Sequence, residues 1–196
     1  DQSLHPPYGT NVTFKREDYT RIHQTSGTTG QPLRCLDTEE SWSWWARCWA
    51  MVYRAAGVSS HDRIFFAFSF GPFIGFWSAH EGARVIGAMS IPGGGMSSQQ
   101  RVKAIFNHEV TVLVCTPTYA LHLGEIAKDE GMDFSNSSVR ITIHAGEPGA
   151  SIPGTRKRIE SIWKAKCYDH AGATEVGAWG FECLAQQGPH INEGEF

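Results

Sequence analysis

The apolar positions change period partway along this chain. Between residues 37 and 57 they follow a helix: Trp42, Trp45, Trp49, Val52 and Ala56 fall on one stripe, and Trp44, Cys48, Met51 and Ala55 on another. Spacings of three and four put such residues on common faces of a 3.6-residue repeat. Two apolar stripes predict a helix buried on two sides, so the tryptophans are read as core rather than as a cofactor surface. Asp37-x-x-Glu40 reads as the capping box of this helix and Gly57 as its end.

From residue 64 onward, short apolar runs alternate with helix-period segments. Residues 64–70, 88–91, 110–115, 139–144 and 166–169 read as strands, and residues 73–85, 97–108, 119–129 and 152–163 as helices. Ser97-x-x-Gln100 opens one helix with a capping box, and Pro153 suits the first turn of another. Repeated β-α-β order predicts an α/β fold, a mostly parallel sheet flanked by helices. The Pro-rich, polar residues 1–15 read as a loop or arm, and no internal repeat or low-complexity linker interrupts the pattern.

This order locates chemistry. In open parallel sheets, ligands bind beyond the carboxyl ends of the strands. Thr116-Pro117-Thr118 follows the strand at 110–115, residues 145–149 follow that at 139–144, and residues 170–175 follow that at 166–169. Gly, Thr and Glu side chains thus converge on one edge, a composition that a purely structural turn does not require. Further upstream stands Ser26-Gly27-Thr28-Thr29-Gly30-Gln31-Pro32. Glycine permits positive φ, successive N–H groups can then point into one concavity that suits a phosphate, and the hydroxyls add uncharged donors. A Walker A loop is excluded, because only two residues separate Gly27 from Gly30 and no Lys follows. Taken alone, the stretch fits a surface turn equally well.

Composition narrows the field. The 196 residues suit one domain with a sizeable core. A net charge of −3 provides no basic field for nucleic acid or an anionic membrane. Five widely spaced cysteines without a C-x-x-C argue against a disulfide framework or zinc ribbon and predict reduced thiols in a cytoplasm. Neither a signal-peptide core nor a run of about 20 apolar residues is seen. The nine histidines give no tidy zinc set: Cys167 with His170 and Cys183 with His190 are the nearest pairs, and a structural metal stays a lesser reading. A hydrolase is disfavoured, since no Gly-x-Ser-x-Gly elbow occurs and Cys115 lies inside an apolar strand.

Residues 26–32 resemble the phosphate loop of the adenylate-forming enzymes: acyl-CoA synthetases, peptide-synthetase adenylation domains and luciferases. His144-Ala145-Gly146-Glu147-Pro148-Gly149 resembles their adenine-contacting loop, and Asp169-His170-Ala171-Gly172-Ala173-Thr174-Glu175 their Tyr-Gly-x-Thr/Ser-Glu motif, in the family's order. The Gly-Glu-Pro wording and Phe68-Ser69-Phe70-Gly71-Pro72-Phe73 are most similar to the phenylacetate–CoA ligase branch. The similarity runs from about Tyr8 to the end. It implies that residues 1–196 are a partial AMP-binding (adenylation) domain of a longer protein, lacking the C-terminal lid domain with its catalytic Lys. The isolated residues are therefore expected not to turn over.

The resemblance further implies a reaction. A carboxylate attacks the α-phosphate of ATP, pyrophosphate leaves, and a thiol takes the acyl group from the adenylate. ATP, Mg²⁺ and coenzyme A as co-substrate are the expected small molecules. Thr174 and Glu175 are the implied catalytic residues, Thr174 meeting the α-phosphate and Glu175 holding Mg²⁺. Ser26, Gly27, Thr28, Thr29 and Gly30 would hold the β- and γ-phosphates. Ala145, Gly146, Glu147 and Pro148 would shape the adenine slot, with Gly172 in the same nucleotide site and Asp169 supporting it. Phe68, Phe70, Phe73 and Tyr119, with Phe76 and Trp77 nearby, are candidates for the pocket of an aryl or arylacetic acid.

Two departures from the family pattern stand out. Gln31 occupies the place of a common Lys, which removes a charge from the pyrophosphate path. Ala171 replaces the Tyr that walls the adenine, leaving Trp179, Phe181 or a neighbouring loop as stand-ins. Two alternatives stay open: transfer of AMP to a hydroxyl, as on a deazaflavin, and a degenerate nucleotide-binding module without catalysis. A homodimer is left open, and neither nucleic acid nor membrane is expected as a partner.

Overall fold

The computed structural model describes residues 1–27 and 30–193. After an arm without helix or strand and a short 3₁₀ turn at Arg16–Asp18, strands β1 (Tyr19–Gln24) and β2 (Arg34–Thr38) form an antiparallel hairpin. The hairpin brackets the Gly/Thr loop. The chain then runs through α1 (Glu39–Ala55), β3 (Arg63–Phe66), α2 (Ile74–Ile86), β4 (Met89–Pro92), α3 (Ser98–Asn107), β5 (Val112–Cys115) and α4 (Pro117–Asp129). It continues with β6 (Ile141–His144), α5 (Pro153–Trp163), β7 (Lys166–Ala173), β8 (Gly177–Phe181) and β9 (His190–Ile191).

The main sheet has the order β4-β3-β5-β6-β7-β8-β9. Pairing is parallel from β4 through β7 and antiparallel from β7 to β9. The α/β class and the mostly parallel sheet are therefore as the periodicity indicates. Alternate strand residues feed two cores. Ile64, Phe66, Val112, Val114, Ile141 and Ile143 meet Trp45, Trp49, Val52 and Ala79 of α1 and α2 on one face. Phe65, Leu113, Cys115 and Cys167 meet Val102, Leu123, Ile159 and Trp163 of α3, α4 and α5 on the other. Helices α1 and α2 approach very closely at Gly82, where an added β-carbon would stand 2.4 Å from the Trp49 β-carbon.

Boundaries differ from expectation for identifiable reasons. The cap of α1 is Thr38, whose hydroxyl accepts the Ser41 N–H. Asp37 is instead committed to the Ser41 hydroxyl at 3.0 Å and to buried His23 at 3.3 Å. Strand β3 stops at Phe66 rather than running to residue 70, because its neighbours run out: Phe66 pairs with Pro92 at the end of β4 and with Val114 near the end of β5. The capping box of α3 forms as read, with Ser97 and Gln100 bonding reciprocally. Strand β7 is longer than residues 166–169, because it changes partner. Up to Asp169 it pairs with β6, and from His170 it pairs antiparallel with β8, so part of the expected loop is strand.

Candidate functional site

Each of the parallel strand ends delivers a different device to the same edge. After β5, the Thr116 hydroxyl caps α4 by accepting the Tyr119 N–H, and Pro117 opens the helix. After β6, the chain turns at Gly146 with φ of 91°, a conformation that β-carbon sterics deny to most residues. Gly149 lies so close to Pro117 that an added β-carbon would stand 2.5 Å from the proline ring. Glu147, expected in the adenine slot, turns its carboxylate to the N-terminus of α4, where it accepts the N–H (2.8 Å) and the hydroxyl of Thr118. Burial by itself would raise its pKa, but the Thr118 and Thr116 hydrogen bonds and His144 hold it below the usual carboxylate range. A carboxylate at a helix N-terminus satisfies otherwise orphaned N–H groups and meets the positive end of the macrodipole. Any contact of this loop with a ligand is thereby left to its backbone.

At β7, Asp169 is braced rather than open. Its N–H donates to Glu182 at 2.8 Å. Glu182, only 4% exposed, accepts from Arg156 Nη2 with both carboxylate oxygens, at 2.7 and 2.6 Å. Arg156 also donates to the Ala150 carbonyl at 2.6 Å, so the loop after β6, the end of β7 and the end of β8 form one unit. Burial raises the pKa of the Asp169 carboxyl against the opposing Ser151 and His170 hydrogen bonds. His170 follows on the strand. Its Nδ1 bonds the Gly180 carbonyl at 2.8 Å, and burial pushes its pKa down to about 4.

These elements enclose a cavity of about 490 Å³. Ser26, Phe73, Ala145, Gly146, Gly172, Thr174 and Glu175, all expected from sequence, border it together. Its remaining wall is largely aromatic and apolar: Trp45 and Trp49 of α1, Ile74 and Phe76 of α2, and His170. The tryptophan stripe read as core is core, but two of its members also face this space. A single-sequence pattern does not separate the two roles, because both demand apolar surface at helical spacing. Thr174 and Glu175 also border a neighbouring cavity of about 500 Å³ beneath the N-terminal arm, lined by Tyr8, Arg34, Cys35 and Trp44 among others. Burial raises the Cys35 thiol pKa, and the charges of Glu175 and Asp37 add to this. Among the described residues Glu175 has no hydrogen bond or ion pair, which leaves its exposed carboxylate available to a ligand.

Other expected residues stand elsewhere. Thr28 and Thr29 lie outside the described residues. Gly27 and Gly30 close a turn, Gly30 N–H to Gly27 carbonyl, on the loop beyond Ser26. Pro148 is exposed on the adenine-type loop without reaching the cavity wall. Phe68 is packed in the core, stacked on Phe76 with centroids 3.6 Å apart, and Phe70 packs against the same cluster. Tyr119 points away towards α3, bonding Arg101 at 2.8 Å and Ser98 at 3.0 Å. Trp77 is tied to the Gly71 carbonyl. Neither Trp179 nor Phe181 reaches the cavity to replace the missing Tyr at position 171, and Phe181 stacks on His190 instead. Among the described residues no group of three or more His, Cys, Asp or Glu side chains could hold a metal ion, and no helix is long and apolar enough to cross a membrane.

The family model for AMP-binding enzymes matches residues 3–194. The chain is 35% identical to the phenylacetate-coenzyme A ligase of Escherichia coli over 184 residues, covering 92% of this chain and 42% of that protein. It is 31% identical to the phenylacetate-coenzyme A ligase of Pseudomonas putida, covering 97% of this chain and 43% of that protein. A crystal structure of 2-hydroxyisobutyryl-CoA ligase, in an open conformation with 2-HIB-AMP and CoA, superposes with a TM-score of 0.89 at 28% identity, covering 95% of this chain and 44% of that one. The chain thus spans less than half the length of the curated relatives it matches.

Proposed function

Because the chain belongs to the AMP-binding enzyme family, we propose that it forms the nucleotide- and acid-binding part of an enzyme that activates a carboxylic acid with ATP and passes the acyl group to coenzyme A. The observation that carries this reading is one cavity bordered at its mouth by Ser26, Thr174 and Glu175 and along its wall by Trp45, Trp49 and Phe76. The polar mouth suits phosphates, and the aromatic wall suits the body of an aryl or arylacetic acid.

In this reading the Thr174 hydroxyl donates to an α-phosphate oxygen as charge develops there, and the loop that begins at Ser26 supplies N–H groups to the leaving pyrophosphate. The backbone of Ala145 and Gly146 borders the adenine, while the Glu147–Thr118 contact and the Arg156–Glu182 pair hold that backbone in place. The tryptophans orient the acid and keep water from the activated acyl group. Mg²⁺ fits the residues present: Glu175 is an exposed carboxylate without a described partner at the cavity mouth, and Mg²⁺ takes one or two carboxylates beside phosphate oxygens and water. When bound, the ion supplies counter-charge to the phosphates. Five widely spaced cysteines without a C-x-x-C accord with a cytoplasmic setting. These residues belong, on this proposal, to the adenylation domain, and turnover needs parts of the enzyme beyond them.

The test is pyrophosphate release by the protein at its natural length, with ATP and Mg²⁺ and a panel of aliphatic, aryl and arylacetic acids. Release that depends on one acid class, followed by thioester formation with coenzyme A, is the expected result. A folded protein that releases none with any acid refutes the proposal.

A further inference from the structure

One polar atom in the apolar wall of the cavity has no use within the fold. His170 is 7% exposed, and its ring packs on Trp49 with centroids 4.3 Å apart. Its Nδ1 meets a carbonyl oxygen, that of Gly180, at 2.8 Å. A carbonyl only accepts, so Nδ1 carries the proton and Nε2 presents a lone pair. Nε2 lies on the Gly172 side of the ring, where an added β-carbon at Gly172 would stand 3.3 Å from it. His170 and Gly172 both border the cavity, and among the described residues no donor reaches Nε2. Nε2 is also absent from the polar atoms that are sealed without a partner, a group that includes the Trp49 indole nitrogen. Burial keeps the ring neutral, with its pKa pushed down to about 4. An acceptor so poorly solvated gains most from a donor brought by the ligand.

Resting on the adenylation reading, we propose that the acid taken by this cavity carries a hydroxyl on its apolar body that donates to Nε2 of His170, which makes a hydroxylated aryl or arylacetic acid the substrate class and His170 a specificity-determining residue. An unsubstituted acid of the same shape leaves Nε2 unpaired. A methoxy analogue brings an acceptor against an acceptor.

The experiment compares kcat/KM for pyrophosphate release by the natural-length protein with phenylacetate, its ring-hydroxylated isomers and the matching methoxy acids, and repeats the series with benzoates. One hydroxy isomer should exceed both its parent and its methoxy analogue by about tenfold or more. His170→Phe should abolish that ratio mainly through KM for the hydroxy acid, bringing it level with the parent acid in the same variant. His170→Gln, which keeps an acceptor, should retain part of the preference and keeps the test decisive where the Phe variant does not fold. A wild-type protein that uses the parent acids as well as every hydroxy isomer overturns the inference alone, as does an unchanged ratio in His170→Phe. Release with no acid overturns the adenylation reading and this inference with it.

Discussion

Glu175 and Glu147 are both carboxylates on loops at the same sheet edge, and their surroundings give them opposite duties. Glu147 has two Thr118 donors and the end of α4 for company, whereas Glu175 is exposed and, among the described residues, has no partner. A group the fold does not use can be removed without harming the fold. Glu175→Gln should therefore melt as the wild type does, within about 0.5 kcal/mol, while kcat/KM for adenylation falls about 100-fold or more. Urea unfolding paired with a pyrophosphate assay checks both halves, and an active Glu175→Gln enzyme would exclude this carboxylate from the chemistry. The Thr–Glu pair was legible from the motif. The engagement of Glu147 with a helix it does not belong to was not, because Thr118 and Glu147 are 29 residues apart and nothing local links them.

Elements are held in place by contacts of the same non-local kind. The α1 stripe and the period of α2 are both plain in the sequence, but their closeness depends on Gly82 having no side chain where it meets Trp49. The atom in the way is a β-carbon beside the backbone, so a larger residue cannot be met by rotating a flexible side-chain end. Gly82→Val should separate the helices and cost about 2–3 kcal/mol, read as a lower urea midpoint. The same shift should loosen acid binding, since Trp45, Trp49 and Phe76 line the cavity from these two helices. A Gly82→Val protein as stable as the wild type would show that the helices pack less closely than described. Element types from β3 to α5 were readable, since alternating apolar runs and capping residues are local signals. The β1–β2 hairpin and strand β8 were missed. The first alternates weakly, and Gly177-Ala178-Trp179-Gly180-Phe181 carries two glycines that read as a turn but serve as strand next to β7.

Across the whole molecule, buried histidines set how the fold responds to acid. His144 and His170 are both pushed down to about 4 by burial. The unfolded chain binds these protons near pH 6.5, the folded protein only near 4, so the unfolded state holds more protons in between. Their contribution is fully present above about pH 6.5 and is lost as pH falls to about 4, by roughly 1.4 kcal/mol per pH unit for each histidine. Asp169 works the other way: its raised pKa favours the folded state on acidification, though a single partly buried carboxyl does not offset two histidines. Unfolding free energy measured from pH 7.5 to 4.5 should fall steadily below about 6.5, and a His144→Asn variant should show a shallower slope. A flat profile would mean that the rings are charged or exposed in the folded protein.

The sequence by itself determined the fold class, the order of strands and helices from β3 to α5, and the motifs that resemble an adenylation site, because each depends on residues within a few positions of one another. Only the tertiary structure decided which of those residues share a cavity: Ser26 and Thr174 border the same space although 148 positions separate them in the numbering. It also decided that Tyr119 and Phe68 are spent on packing, that two core tryptophans form a wall, and that His170 borders the same cavity. Which face of an element meets a ligand is fixed by what packs on its other faces, and that depends on the whole chain.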